Sequence, residues 1–190
     1  MIKILAISGS LRKNSYNSAL LRAMIKLAPE NVSVELFYGL GELPLFNPDI
    51  EDQAFPSVLH FRNQLASHDG IVIASPEYAH GVTGAMKNAL DWVVGSGELV
   101  YKPVAVINAA PHATYAYASI IETLRVMTAD IDPVASKVLP SAGQKLSDDE
   151  IYTHKEISNA LRSTLVSLAQ TIRSRDAATS SEKNASWNLF

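Results

Sequence analysis

The sequence predicts a doubly wound α/β domain: a five-stranded parallel sheet with helices on both faces. Three observations carry this. Five short apolar runs rich in β-branched residues alternate with segments whose apolar residues recur at helical spacing. Runs such as Ile71-Val72-Ile73 and Val104-Ala105-Val106-Ile107 lack polar alternation, which suits strands covered on both faces. The 190 residues, 47% of them hydrophobic and 18% charged, suit one ordinary core.

Taken in order, the expected strands are Lys3 to Ile7, Ser33 to Tyr38, Gly70 to Ala74, Pro103 to Asn108 and Pro133 to Val138. A stripe of Ala19, Leu20, Ala23, Met24 and Leu27 predicts the first helix. A second is expected over Val58 to Ser67. Ala85, Met86, Ala89, Leu90 and Val93 form the stripe of a third. A fourth covers Ala118 to Met127. The last runs from Asp149 to Arg173 and opens on Asp148-Asp149-Glu150, whose negative charges suit a helix N-terminus. Right-handed crossovers between these units are compatible with the flavodoxin-like strand order 2-1-3-4-5. The domain is expected over residues 1–175, followed by a mobile polar tail, 176–190. Trp187 and Phe190 in that tail either stay solvated or dock on a partner subunit.

A net charge of -3 without a run of Lys or Arg argues against nucleic acid as a partner. The chain has no cysteine, so disulfides, thiolate catalysis and cysteine-ligated metals are excluded, and redox chemistry would need a cofactor. No apolar stretch reaches the roughly 20 residues of a membrane span, and Ile4 to Ile7 is too short for a signal segment. A cytoplasmic protein is expected. Five scattered histidines without ligand spacing give no metal site.

Ser8-Gly9-Ser10-Leu11-Arg12-Lys13-Asn14-Ser15-Tyr16-Asn17 lies where the first strand ends and the first helix begins. A helix start offers unpaired N–H groups and a partial positive charge, and Gly9 permits a tight turn. Arg12 is placed for a charge-assisted bond to phosphate, and Ser15 either binds it or caps the helix. The segment matches neither the Walker loop nor the dinucleotide fingerprint. A polar connection with a good cap is the plainer reading.

The third strand ends in Ser75-Pro76-Glu77-Tyr78-Ala79-His80-Gly81-Val82-Thr83-Gly84. With strands 1 and 3 adjacent, both loops face one crevice at the carboxyl ends of the strands, where doubly wound sheets bind ligands.

Gly9-Ser10-Leu11-Arg12 with Ser15 and Asn17, followed by Pro76-Glu77-Tyr78 and by Gly84-x-x-Lys87-Asn88-Ala89-Leu90-Asp91-Trp92, resembles the NADPH-dependent FMN reductase family. The resemblance runs from about Met1 to Leu139. It implies a flavodoxin-like fold, FMN as cofactor, NADPH or NADH as co-substrate, and a homodimer or homotetramer. It implies that Ser10, Arg12, Ser15 and Asn17, with Tyr16 beside them, hold the ribityl phosphate. Pro76, Glu77, Tyr78, His80 and Gly81 would then border the isoalloxazine, with Ala110 and His112 of the loop after strand four. Ala79 stands where the family usually has asparagine and Thr83 where it usually has proline. Ala110-Pro111-His112-Ala113 replaces a usual Ser-Pro-Gly-Gly.

Lys87 and Asp91 read as a surface pair at i, i+4, and Trp92 as a core residue, with a dimer interface as the alternative. Leu43-Pro44-Leu45-Phe46-Asn47-Pro48 reads as a stiff apolar loop; the resemblance implies that it borders the active site or a subunit contact, and a bland connector is the alternative. The leading function is a ping-pong oxidoreductase passing electrons from NAD(P)H through FMN to a small acceptor such as a quinone or free flavin. The alternatives are a flavodoxin-type electron carrier and a binding protein without flavin.

Overall fold

Along strand β1 (Ile2–Ser8), Ile4 and Ala6 join one apolar cluster, while Leu5 and Ile7 join another on the opposite face of the sheet. Both faces are buried, which is why the run carries no polar alternation. The computed structural model describes residues 1–139 and 146–187, with side chains up to residue 178. After β1 come α1 (Tyr16–Leu27), β2 (Val32–Phe37), α2 (Pro56–Ser67) and β3 (Gly70–Ala74). A short hairpin of β4 (Glu77–Tyr78) and β5 (Gly81–Val82) leads into α3 (Gly84–Asp91). Then follow β6 (Pro103–Asn108), α4 (Thr114–Val126), β7 (Asp130–Ile131), β8 (Lys137–Val138), α5 (Asp148–Thr153) and α6 (Lys155–Trp187).

The sheet is parallel in the order β2-β1-β3-β6-β7, with β8 also on β6. This is the flavodoxin-like order when the divided edge strand is counted as the fifth. On one face α1, α5 and α6 supply Leu20, Met24, Ile151, Leu161 and Leu168 to the core. On the other, α2, α3 and α4 supply Phe61, Leu65, Met86, Leu90 and Leu124. The connections of a parallel sheet place the starts of α1, α3 and α4 at the carboxyl ends of β1, β3 and β6, where the loops of interest lie.

Two expected elements are each divided in two. The strand foreseen over Pro133 to Val138 is split, because Asp132 Oδ1 accepts the N–H groups of Val134 and Ala135 and bends the chain off the sheet. Ser136 Oγ then accepts the Val106 N–H that a continuous strand would have engaged. The helix foreseen over Asp149 to Arg173 breaks at His154, whose ψ of 107° is extended. Ser147 and Glu150 form a reciprocal capping box for α5, and His154 Nδ1 accepts the Ile157 N–H to start α6. Helix α6 continues to Trp187, past the Arg173 at which it was expected to end. The side chain of Trp187 and all of Phe190 lie outside the described residues.

Candidate functional site

Ser15 ends the loop after β1 as the N-cap of α1, accepting the Ser18 N–H at 3.4 Å. Asn17 is buried on the first turn, and its Oδ1 has no hydrogen-bond partner. A buried polar atom without a partner is uncommon, and an amide can present either an N–H or an oxygen by turning over. Ser10 is half-buried, and Arg12 and Lys13 are exposed. Helices α1, α3 and α4 have no acidic residue in their first turns, so their positive ends face the crevice without a charge of their own sequence to offset them.

The second loop is tied directly to the first. Thr83 Oγ1 donates to the Gly9 carbonyl at 2.7 Å, and the Gly9 N–H donates to Ala74 O at 2.9 Å. A Cβ on Gly9 would lie 2.1 Å from Ser75 Oγ, so only glycine lets the two loops approach this closely. Thr83 also caps α3 by accepting the Met86 N–H. Between these anchors the chain makes a two-residue hairpin turn with Ala79 at φ 50° and His80 at φ 58°. Two successive left-handed residues give a type I′ turn, which suits the twist of a tight hairpin and favours glycine or asparagine.

Glu77 ties the second loop to the third. Its Oε2 accepts the Ala116 N–H of α4 at 2.8 Å, and its Oε1 lies 3.4 Å from His80 Nδ1. The cap residue of α4, Ala113, has no side chain to offer, so Glu77 caps this helix from 39 residues away. This external cap explains why α4 begins at Thr114 rather than at the expected Ala118. Asn108 shapes the third loop by accepting the Ala110 N–H and donating to Ala113 O, both at 2.9 Å. Pro76, Gly81 and Ala110 are half-buried here, while Tyr78, His80 and His112 are exposed. His80 packs edge-on against Tyr115, 4.8 Å between ring centres.

Two cavities flank Arg12. One, of about 500 Å³, lies between the first loop and the segment after β2, and the other, of about 480 Å³, between the first loop and the start of α5. The second contains Asp148, whose carboxyl is held below its usual range chiefly by the hydrogen bond from Lys26.

The sequence profile of the NADPH-dependent FMN reductases matches residues 2–136. The chain belongs to that family. An NAD(P)H-dependent FMN reductase of Pseudomonas aeruginosa is 42% identical over 112 residues, which is 57% of this chain and 60% of that protein. A 2-hydroxy-1,4-benzoquinone reductase of Burkholderia sp. is 42% identical over 110 residues, 56% of this chain and 59% of that protein. The match thus spans about three fifths of the length of these curated relatives. Among solved structures, FerB from Paracoccus denitrificans, a flavoenzyme NAD(P)H:(acceptor) oxidoreductase, superposes with a TM-score of 0.75. It is 26% identical, with 92% of this chain and 98% of that chain covered.

The residues present suit the FMN of the FMN reductases. Asn17 offers an unsatisfied amide at a helix start, Ser10 and Arg12 add a hydroxyl and a cation, and Gly9 opens the approach to Ser75. The sequence reading of this family missed Asn108, the organiser of the third loop, and the bond between Thr83 and Gly9. An asparagine ending a buried strand is a detectable turn signal. The tie between residues 9 and 83 has no local signal. The loop Leu43 to Pro48 is likewise clamped from afar, since Pro44 O accepts from Asn88 Nδ2 and Trp92 Nε1, and the Phe46 N–H donates to Asn88 Oδ1. Trp92 is buried in the core, and Lys87 pairs with Asp91 at 2.5 Å.

Proposed function

We propose that this chain binds one FMN in the crevice formed by the loops after β1, β3 and β6 and uses it to pass electrons from NAD(P)H to a quinone-like acceptor or free flavin. The observation that carries this reading is the junction of Gly9, Ser75 and Thr83, which sets an anion cradle and a short, rigid hairpin side by side. Bound FMN supplies hydride acceptance at N5 and subsequent electron delivery. Ser10, Arg12, Ser15, Tyr16 and Asn17 hold the phosphate in this reading, and the positive end of α1 adds to the attraction. Pro76, Glu77, Tyr78, His80 and Gly81 border the ring, with Ala110 and His112 across from them. Most of this second contact is main chain, whose orientation Glu77, Thr83 and Asn108 fix through their hydrogen bonds.

The chain need only orient the ring, exclude water from one face and admit each partner in turn, so no side-chain nucleophile is called for. Tyr78, 53% exposed, is the ring assigned to that face in this reading. With one open face, donor and acceptor compete for the same surface, and ping-pong kinetics follow. A homodimer or homotetramer acting in the cytoplasm completes the reading. The test is an absorption spectrum of the purified protein, followed by anaerobic titration with NADPH and initial rates with a quinone. Stoichiometric FMN, bleaching on titration and parallel double-reciprocal lines are expected. No saturable FMN uptake would overturn the function, and intersecting lines would overturn the ping-pong order.

A further inference from the structure

The cavity between the first loop and the segment after β2 shares Ser10 and Arg12 with the phosphate cradle but extends away from the crevice on the β2 side, since neither Ser15, Asn17 nor any residue of the hairpin lines it. Its volume of about 500 Å³ is in the range of small-molecule sites. The parallel register of β1 and β2 pairs Ile7 with Phe37, so Tyr38 and the turn that follows start level with the first loop. The cavity therefore adjoins the phosphate cradle, with Arg12 on the wall.

Its lining has two parts. Leu36 and Leu40 give an apolar floor, and Tyr38 stands at the rim with 78% of its surface exposed. Lys13 and Arg22 give it a cationic side, against one acid, Glu42. Among the described residues neither Arg12 nor Lys13 takes part in an ion pair, and Arg22 has only a 3.7 Å contact with Asp148. A flat exposed ring beside one cation without an ion pair, Lys13, and one held only by a long contact, Arg22, suits an aromatic base that carries phosphate.

We propose that this cavity holds the adenosine half of the nicotinamide nucleotide, with Tyr38 against the adenine and Lys13 and Arg22 on the 2′-phosphate, so that it is here that NADPH is told from NADH. The assignment rests on the NAD(P)H-dependent activity proposed above. It places the two nucleotides along one edge of the sheet: the flavin at the ends of β1, β3 and β6, and the adenosine at the ends of β1 and β2. Glu42 then faces a ribose hydroxyl, and the surplus positive charge favours the extra phosphate.

The experiment compares wild type, Lys13→Ala and Tyr38→Ala, each loaded with FMN. Lys13→Ala is expected to raise the KM for NADPH about ten-fold, in line with losing a charge-assisted hydrogen bond, and to change the KM for NADH less than about two-fold. Tyr38→Ala is expected to raise both. Calorimetric titration of adenosine 2′,5′-bisphosphate should detect binding to wild type and about ten-fold weaker binding to Lys13→Ala. N-benzyl-1,4-dihydronicotinamide, which has no adenosine half, reports on the flavin alone. An unchanged NADPH KM and bisphosphate affinity in Lys13→Ala would overturn the proposal, as would equal losses with NADPH and NADH. If wild type oxidises neither NADPH nor the truncated donor, the proposed activity fails instead, and the bisphosphate titration still decides whether the cavity binds the nucleotide.

Discussion

The hydroxyl of Thr83 donates to the carbonyl of Gly9 at 2.7 Å while accepting the N–H of Met86 at 3.3 Å, so one side chain both closes the crevice and starts helix α3. Thr83 is buried, and it stands where the family usually carries proline. Proline would give the turn its stiffness by fixing φ, whereas threonine supplies it by hydrogen bonding. Thr83→Val keeps the shape and removes both bonds, leaving a buried carbonyl and a helix N–H without partners. A loss of about 1–3 kcal/mol in urea unfolding is expected, with a much smaller loss in Thr83→Ser.

Ala79 and His80 both hold left-handed backbone angles that cost a residue with a Cβ about 1 kcal/mol. Ala79→Gly should therefore stabilise the protein by roughly 0.5–1 kcal/mol, and Ala79→Val should destabilise it. Thermal or urea unfolding of the two variants tests the sign directly.

Asp132 is a buried carboxylate that binds both edges of the split strand to α6, accepting from Val134 and Ala135 on one oxygen and from Ser167 and Thr171 on the other. Burial pushes its pKa up, but the hydrogen bonds, led by that from the Ala135 N–H, outweigh it and hold the group below its ordinary 3.8. A folded value below the unfolded one means that the stabilisation is complete above about pH 4 and is lost as pH falls through the folded value. Asp132→Asn should be less stable at pH 7 by about 1–3 kcal/mol, because an NH₂ faces donors. It should also lose less stability between pH 5 and pH 2, measured by urea unfolding at each pH.

Arg12 has its role only if a phosphate meets it. Arg12→Ala is expected to weaken FMN binding by about 1.5–3 kcal/mol and to leave riboflavin affinity unchanged, measured by fluorescence quenching of the apoprotein. Equal losses for both ligands would assign Arg12 to folding instead.

In the proposed reading Glu77 acts through α4, whose Ala116 N–H it accepts, rather than on a reacting atom. Glu77→Gln keeps an oxygen for the Ala116 N–H, and His80→Ala leaves that bond in place, so each should lower turnover by no more than a few-fold with FMN still bound. Steady-state rates with a quinone, together with the flavin spectrum, check this. Complete inactivity with bound FMN would make either residue a proton carrier.

The strands Gly70–Ala74 and Pro103–Asn108 were legible to the residue because each is a buried apolar run, and burial on both faces leaves a signal in composition alone. The stripes of α1 and α3 were legible for the same reason, as was the burial of Trp92. The positions of the loops at the carboxyl ends of the strands followed from the alternation of elements, since a parallel sheet leaves few other topologies. What the sequence did not contain is which distant polar groups would meet. The cap that Glu77 gives α4, the bond between Thr83 and Gly9, and the bonds by which Ser167 and Thr171 of α6 hold Asp132 all depend on partners brought together by packing. Apolar burial repeats with the period of each element and can be read locally. A hydrogen bond between residues 39 or 74 apart has a direction and a single partner, and only the folded backbone decides which one it is.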